Sequence, residues 1–175
     1  MNDSLSMPTR RRAIAGIAVA LGSIASTSRG LAQQPSMGQQ PSEKSADPRT
    51  SIHYELDFKS TPQRFYDALV DQKQFAAFTG MPATIDATAG GAFSMFGGLI
   101  VGRNVELVAG QRIVQAWRPA HWDPGLYSIV HFELKPRAQE CTLVFDHTSF
   151  PAGDYDHLDW GWKNHYWEPL KKYFA

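Results

Sequence analysis

The stretch that most restricts what this chain can fold into is its last, Asp154 to Phe174, which reads DYDHLDWGWKNHYWEPLKKYF. Placed on a helix at about 100° per residue, it carries one wide apolar stripe. Tyr155, Leu158, Trp162, Tyr166, Pro169, Leu170 and Tyr173 form it, with His165 at its edge. Such a stripe has to be buried against another element. The residues before it read mostly as strand, so that element is a sheet. Three features depart from the simple pattern. Gly161 in mid-helix costs about 1 kcal/mol against alanine, which predicts that another backbone comes close there. Pro169 lacks the N–H of a helical hydrogen bond and predicts a kink or restart in the last turns. Trp160, Trp167 and Phe174 recur at seven-residue spacing on the opposite face, predicting a second ridge covered by the same domain or by a partner.

The folded part begins at Ser51. Ile52, Tyr54, Leu56 and Phe58 alternate with polar residues, the pattern of a strand with one buried face. Ser60-Thr61-Pro62-Gln63 announces a helix start through a hydroxyl cap and an early proline. Phe65, Tyr66, Leu69 and Val70 give that helix an apolar face. Asp71 caps a second short helix carrying Phe75, Ala76 and Phe78, which stops at Gly80 and Pro82. A run of strands follows: Ala92 to Phe96, Leu99 to Val108, Arg112 to Arg118, Leu126 to Leu134 and Cys141 to Thr148. Gly97-Gly98 and Ala109-Gly110 mark the turns, and Gly102 predicts a bulge or a close backbone approach within its strand. The order of strand, two short helices, about six antiparallel strands and a long helix is an α+β arrangement. Consecutive hairpins can curl the sheet into a partial barrel around the final helix.

The N-terminus reads as an address. Thr9-Arg10-Arg11-Arg12 precedes an apolar run from Ala13 to Ile24, and Gly30-Leu31-Ala32 offers small residues for cleavage. That order describes a secretory signal over residues 1–32, and the paired arginines resemble a twin-arginine signal, with Ala13 where a bulky apolar residue is usual. The run is shorter than the ~20 residues that span a bilayer, so no stable span is expected once the signal is removed, and the mature protein is expected to be periplasmic or secreted. Residues 33–50, rich in Gln, Ser and Pro, read as a disordered linker, leaving 51–175 as the domain. Four of the 17 basic residues and one of the 17 acidic ones lie in the first 32 positions, so the remainder holds 13 basic and 16 acidic side chains. That balance gives no clustered basic face for nucleic acid. Cys141 is the single cysteine, so no intrachain disulfide forms.

The element order resembles the helix-grip fold of the SRPBCC (START-like) superfamily, and the local pattern resembles the heat-shock-90 ATPase activator homologue family. Thr61-Pro62-Gln63-Arg64-Phe65-Tyr66-Asp67-Ala68-Leu69, Phe78-Thr79-Gly80, Gly90-Gly91-Ala92-Phe93 and Gly102 carry the resemblance. So do Arg112-Ile113-Val114-Gln115-Ala116-Trp117-Arg118, Val130-His131-Phe132-Glu133-Leu134, Leu143-Val144-Phe145-Asp146-His147, Gly161-Trp162 and Pro169-Leu170. It extends over nearly all of 51–175, through order and spacing rather than one strong motif. It implies a curved antiparallel sheet of six to seven strands around a long C-terminal helix, with a deep, mostly apolar cavity between them. It implies no fixed reaction, since superfamily members bind apolar molecules, act as cyclases or partner chaperones.

Alternation assigns the faces that would meet such a cavity. Phe93 with Met95, Gln115 with Trp117, Phe132, and Phe145 with His147 share inward faces, opposite Leu158, Trp162 and His165 of the helix. Those residues fit a small-molecule site with apolar walls and a few polar groups; they also fit a filled core. His147 would orient a ligand or act as a general base, or be a buried histidine bonded within the core. Gln115, if buried, needs a partner that a ligand could supply. Arg118 and His121-Trp122-Asp123 fall at a strand end and loop by the cavity mouth. His121-x-Asp123 and His157…His165 lack the compact spacing of zinc sites, and no cofactor motif occurs, so neither metal nor cofactor is expected. Three readings stay open: a binding protein for a small apolar or amphipathic molecule, a cyclase or hydratase with His147 as base, and an interaction module using Trp160, Trp167 and Phe174. A monomer or weak homodimer is expected.

Overall fold

Alternating side chains become alternating faces in the computed structural model, which describes residues 47–138 and 140–175. The signal-like segment and most of the linker lie outside the described residues. The strands are β1 (Ser51–Phe58), β2 (Thr84–Ile85), β3 (Ala92–Met95), β4 (Ile100–Val108), β5 (Arg112–Pro119), β6 (Ser128–Arg137) and β7 (Glu140–Thr148). They form one antiparallel sheet in the order β1-β7-β6-β5-β4-β3-β2. The central strands bury every second residue: Ile113, Gln115 and Trp117 on β5, Val130, Phe132 and Leu134 on β6, and Cys141, Leu143, Phe145 and His147 on β7. The short edge strand β2 carries no sequence signal that sets it apart from the loop around it.

Two helices cross between β1 and the edge of the sheet. In α1 (Pro62–Val70) the Thr61 side chain accepts from the Arg64 N–H at 3.3 Å, and proline occupies the first turn, where its missing N–H costs nothing. In α2 (Gln72–Thr79) Asp71 accepts from the N–H groups of Lys73 and Gln74, both at 2.9 Å, and Gly80 closes the helix in the left-handed region at φ 70°. Gly102 faces neither bulge nor void. A Cβ there would sit 2.3 Å from the Phe93 ring and 2.1 Å from the Ala116 carbonyl oxygen, so glycine is required by close approach. The register shift in β4 falls instead between Asn104 and Glu106.

The terminal helix differs from the ideal helix assumed from sequence. It runs as α3 (Tyr155–Gly161), a π-helical turn (Trp162–Trp167) and α4 (Glu168–Phe174), with right-handed helical dihedrals at the junctions. The restart expected at Pro169 is present, with α4 beginning at Glu168 and Pro169 in its first turn, and the Glu168 N–H reaches back five residues to the Lys163 carbonyl, one more than in an α-helix. The wider turn admits about one extra residue and sets later side chains back by about 100°. Trp167 and Phe174 thereby join the buried stripe of Leu158, Trp162 and Leu170, while Trp160, before the wide turn, stays 56% exposed. The expected second ridge therefore does not exist as a continuous face.

Candidate apolar cleft

Between the first half of the terminal helix, the Phe96–Ile100 corner and the loop after β5 lies a cleft of about 470 Å³. The helix contributes His157, Leu158, Trp160, Gly161, Trp162, His165 and Tyr166 to its wall. Trp117 and Pro119 at the end of β5, with Ala120 and His121, form the facing side, and Met81, Phe96, Leu99 and Ile100 complete it. Local bonds hold this geometry. The Trp122 indole N–H donates to Asp154 at the helix start, and the Arg118 Nη1 donates to the Trp122 carbonyl at 2.7 Å, pinning the loop beside the helix. Gly161 was expected to meet another backbone, but a Cβ there would meet nothing within 4 Å. Its missing side chain leaves cleft space open instead.

The cleft takes in part of the residue set expected from sequence. Trp117, Leu158, Trp162 and His165 line it. Phe93, Met95, Gln115, Phe132, Phe145 and His147 are buried in the packed core and do not. Gln115 donates to Asn104 Oδ1 at 3.0 Å, and Asn104 in turn donates to the Asp86 carbonyl at 2.8 Å, so its polar partner is internal. Sequence reasoning did not assign Tyr166, Gly161, His157 or Trp160 to the cavity. The signal available was the run His157, Gly161, His165 at four-residue spacing, one helix face flanking the apolar stripe.

His147 cannot act as the expected base. The Trp162 Nε1–H donates to its Nδ1 at 3.0 Å, which places the imidazole proton on Nε2, 2.7 Å from Ser128 Oγ. The Ser128 hydroxyl in turn donates to the Trp117 carbonyl at 2.9 Å. Both nitrogens are thus committed, the ring is fully enclosed, and burial lowers its pKa to about 3. The network is fully satisfied, which makes it a device for fixing Trp162 against β5 and β6 rather than for moving protons.

Among the described residues no Asp, Glu, Lys or Arg lines the cleft, and the titratable groups that do are His121, His157, His165 and Tyr166. His121 and His157 lie edge to face with centroids 5.8 Å apart, and His165 packs on Trp160 at 5.1 Å. Burial raises the Tyr166 hydroxyl pKa well above its ordinary value, so it remains a donor. Among the described residues no three His, Cys, Asp or Glu are grouped to hold a metal ion. Burial pushes the Cys141 thiol up to about 11, which makes it a poor nucleophile.

A family model described as "Activator of Hsp90 ATPase homolog 1-like protein" matches residues 59–175. The chain belongs to this family. The activator of 90 kDa heat shock protein ATPase homolog 1 of Homo sapiens is 29% identical over 128 residues, 73% of this chain, but the chain spans only 38% of that protein. An HSP90 activator of Plasmodium falciparum has the same fold, with a TM-score of 0.69 and 22% identity over 71% of this chain and 96% of its own. The Aha1 of Colwellia psychrerythraea, described as a dimer, matches with a TM-score of 0.58 and 16% identity over 70% of this chain and 94% of its own. These likenesses support the α+β helix-grip architecture.

Proposed function

We propose that this chain is an exported binding protein for a small apolar or amphipathic molecule, held in the cleft between the sheet and the first half of the terminal helix. One observation carries the reading: a cleft of about 470 Å³ with aromatic walls and, among the described residues, no Asp, Glu, Lys or Arg in its lining, the size and character of a small-molecule site. Export rests on the arginine-led, apolar, small-residue order of residues 1–32. Incubating the purified mature protein with a lipid and metabolite extract, followed by native mass spectrometry, tests the binding. A retained species that is lost when Gly161→Leu fills the cleft is the expected result. Retention of nothing, or of the same species by the variant, contradicts it.

A protein-interaction module is the second reading. It is favoured by Leu99 and Trp160, which are 61% and 56% exposed at the cleft rim, since exposed apolar residues beside a groove suit a docking surface. Trp167 and Phe174 leave that reading because they are buried in their own chain. An exported protein would not meet the cytoplasmic chaperone that gives the relatives their name, so a partner on the far side of the membrane is required. The cyclase or hydratase reading loses its base with His147.

A further inference from the structure

The chain has six histidines, and they divide by whether they have a polar partner of their own. His147 has both nitrogens engaged by Trp162 and Ser128. Asp146 lies between His53, at 2.7 Å, and His131, at 3.9 Å. His121, His157 and His165 are exposed and make no side-chain hydrogen bond or ion pair among the described residues, and these three are the ones that line the cleft. The remaining polar side chain in the lining is spent elsewhere, since the Tyr166 hydroxyl donates to the Met95 thioether, which does not line the cleft. Two of the three histidines come together from opposite walls. His121 comes from the loop after β5 and His157 from the first turns of the terminal helix, with ring centroids 5.8 Å apart. The bonds of Trp122 to Asp154 and of Arg118 to Trp122 hold those two walls beside each other. His165 instead packs on Trp160 and Phe96.

We propose that the cleft takes an amphipathic monocarboxylate, with its apolar body against Trp117, Leu158 and Trp162 and its carboxylate at the mouth, accepting from the imidazoles of His121 and His157. The inference rests on the ligand-binding reading above and narrows it to one chemical class. One ring N–H from each wall matches the two oxygens of a carboxylate, and an imidazole that takes up a proton makes such a bond charge-assisted. Both histidines are exposed, so the head keeps part of its water and escapes the large cost of burying a charge. An ammonium head finds no such partner. Asp154 accepts from Trp122, Asp156 lies 3.7 Å from Arg49, Asp159 accepts from Tyr54 and Lys163, and neither these nor Asp123 line the cleft. A doubly charged phosphate head finds no Lys or Arg in the lining, and Arg118 donates to the carbonyls of Ala120 and Trp122.

Three probes with a shared phenylbutyl body test this on the purified mature protein: 4-phenylbutanoate, 4-phenylbutan-1-ol and 4-phenylbutylammonium. They are titrated calorimetrically at pH 8 and pH 6, with circular dichroism to show that the chain is folded at both. At pH 6 the carboxylate is expected to bind about fivefold or more tightly than the alcohol, as a partly exposed charged pair allows, and more tightly still than the ammonium. Its affinity should rise about threefold or more from pH 8 to pH 6, because histidine takes on charge over that span, whereas that of the alcohol should not. In a double variant, His121→Gln with His157→Gln, the side chains stay polar but cannot charge. There the carboxylate should bind no more tightly than the alcohol and equally at both pH values. Equal binding of carboxylate and alcohol by the unaltered protein, or a carboxylate preference that survives in the folded double variant, overturns the inference and leaves an apolar binder. Tightest binding by the ammonium overturns it in favour of a cationic head. Failure of all three to bind overturns both this inference and the reading it rests on.

Discussion

The imidazole of His147 has a donor against one nitrogen and an acceptor against the other, and its depressed pKa has a consequence for stability. In the unfolded chain a histidine takes up a proton near pH 6.5, whereas burial holds the folded pKa near 3. The unfolded state therefore binds the extra proton as pH falls below 6.5. The contribution is full above that pH and is lost progressively between 6.5 and 3, at about 1.4 kcal/mol per pH unit at most. Urea unfolding at pH 7 and pH 5 should show a loss of about 2 kcal/mol attributable to this residue. His147→Gln should be less stable at pH 7 and should lack that part of the slope. An imidazole resonance of His147 titrating near pH 6.5 would contradict the network. Ser128→Ala should cost about 1–3 kcal/mol, because it strands the Nε2–H and the Trp117 carbonyl, and chemical denaturation measures it. A buried histidine bonded within the core was one of the two readings the sequence allowed, but its partners were not legible. Alternation places His147 inward, but nothing in the chain before folding says that Trp162 and Ser128 will take both of its nitrogens.

The terminal helix shows how far a periodic pattern can be trusted. The stripe and its burial against a sheet follow from spacing alone, as does the cap at Asp71, whereas the hydroxyl cap read from Ser60 with Gln63 falls one residue later, on Thr61. The π-helical turn does not, because it depends on the balance between one backbone bond and the burial of two large side chains. Returning to α geometry would rotate Trp167 and Phe174 toward solvent, and burying each contributes about 1.5–3 kcal/mol or more. A backbone hydrogen bond contributes about 1 kcal/mol. Packing therefore holds the turn, and Pro169, which has no N–H to lose, makes it cheaper. Pro169→Ala is accordingly expected to keep Trp167 buried, with near-ultraviolet circular dichroism unchanged; a spectrum showing a newly exposed indole would place the cause in the proline instead. Gly161→Ala is expected to stabilise the protein by about 0.5–1 kcal/mol, since the helix gains and the added methyl meets open space. A lower melting temperature would show that the space is not free.

At the scale of the whole molecule, the succession of strands and the helix that packs on them were readable because the central strands alternate and several of the turns between them are marked by glycine; the placing of β1 beside β7 was not. Nor was the position of the cleft. Inward-facing aromatics on β5, β6 and β7 suit a cavity wall and a filled core equally, and the structure packs Phe132 and Phe145 against Trp162 with centroids 6.0 and 4.5 Å away. The open space lies instead beside Gly161, where the helix face has no side chain, and under the loop that Asp154 and Trp122 tie down. Cleft and core thus share Trp117 and Trp162, each with one edge in either. The central claim is that this space admits a small apolar molecule, and a fluorescence titration with neutral N-phenyl-1-naphthylamine tests it most directly. Saturable binding of one probe per chain, weakened at least about tenfold in a folded Gly161→Leu variant, is the result expected; no saturable binding, or the same affinity in both proteins, would contradict it.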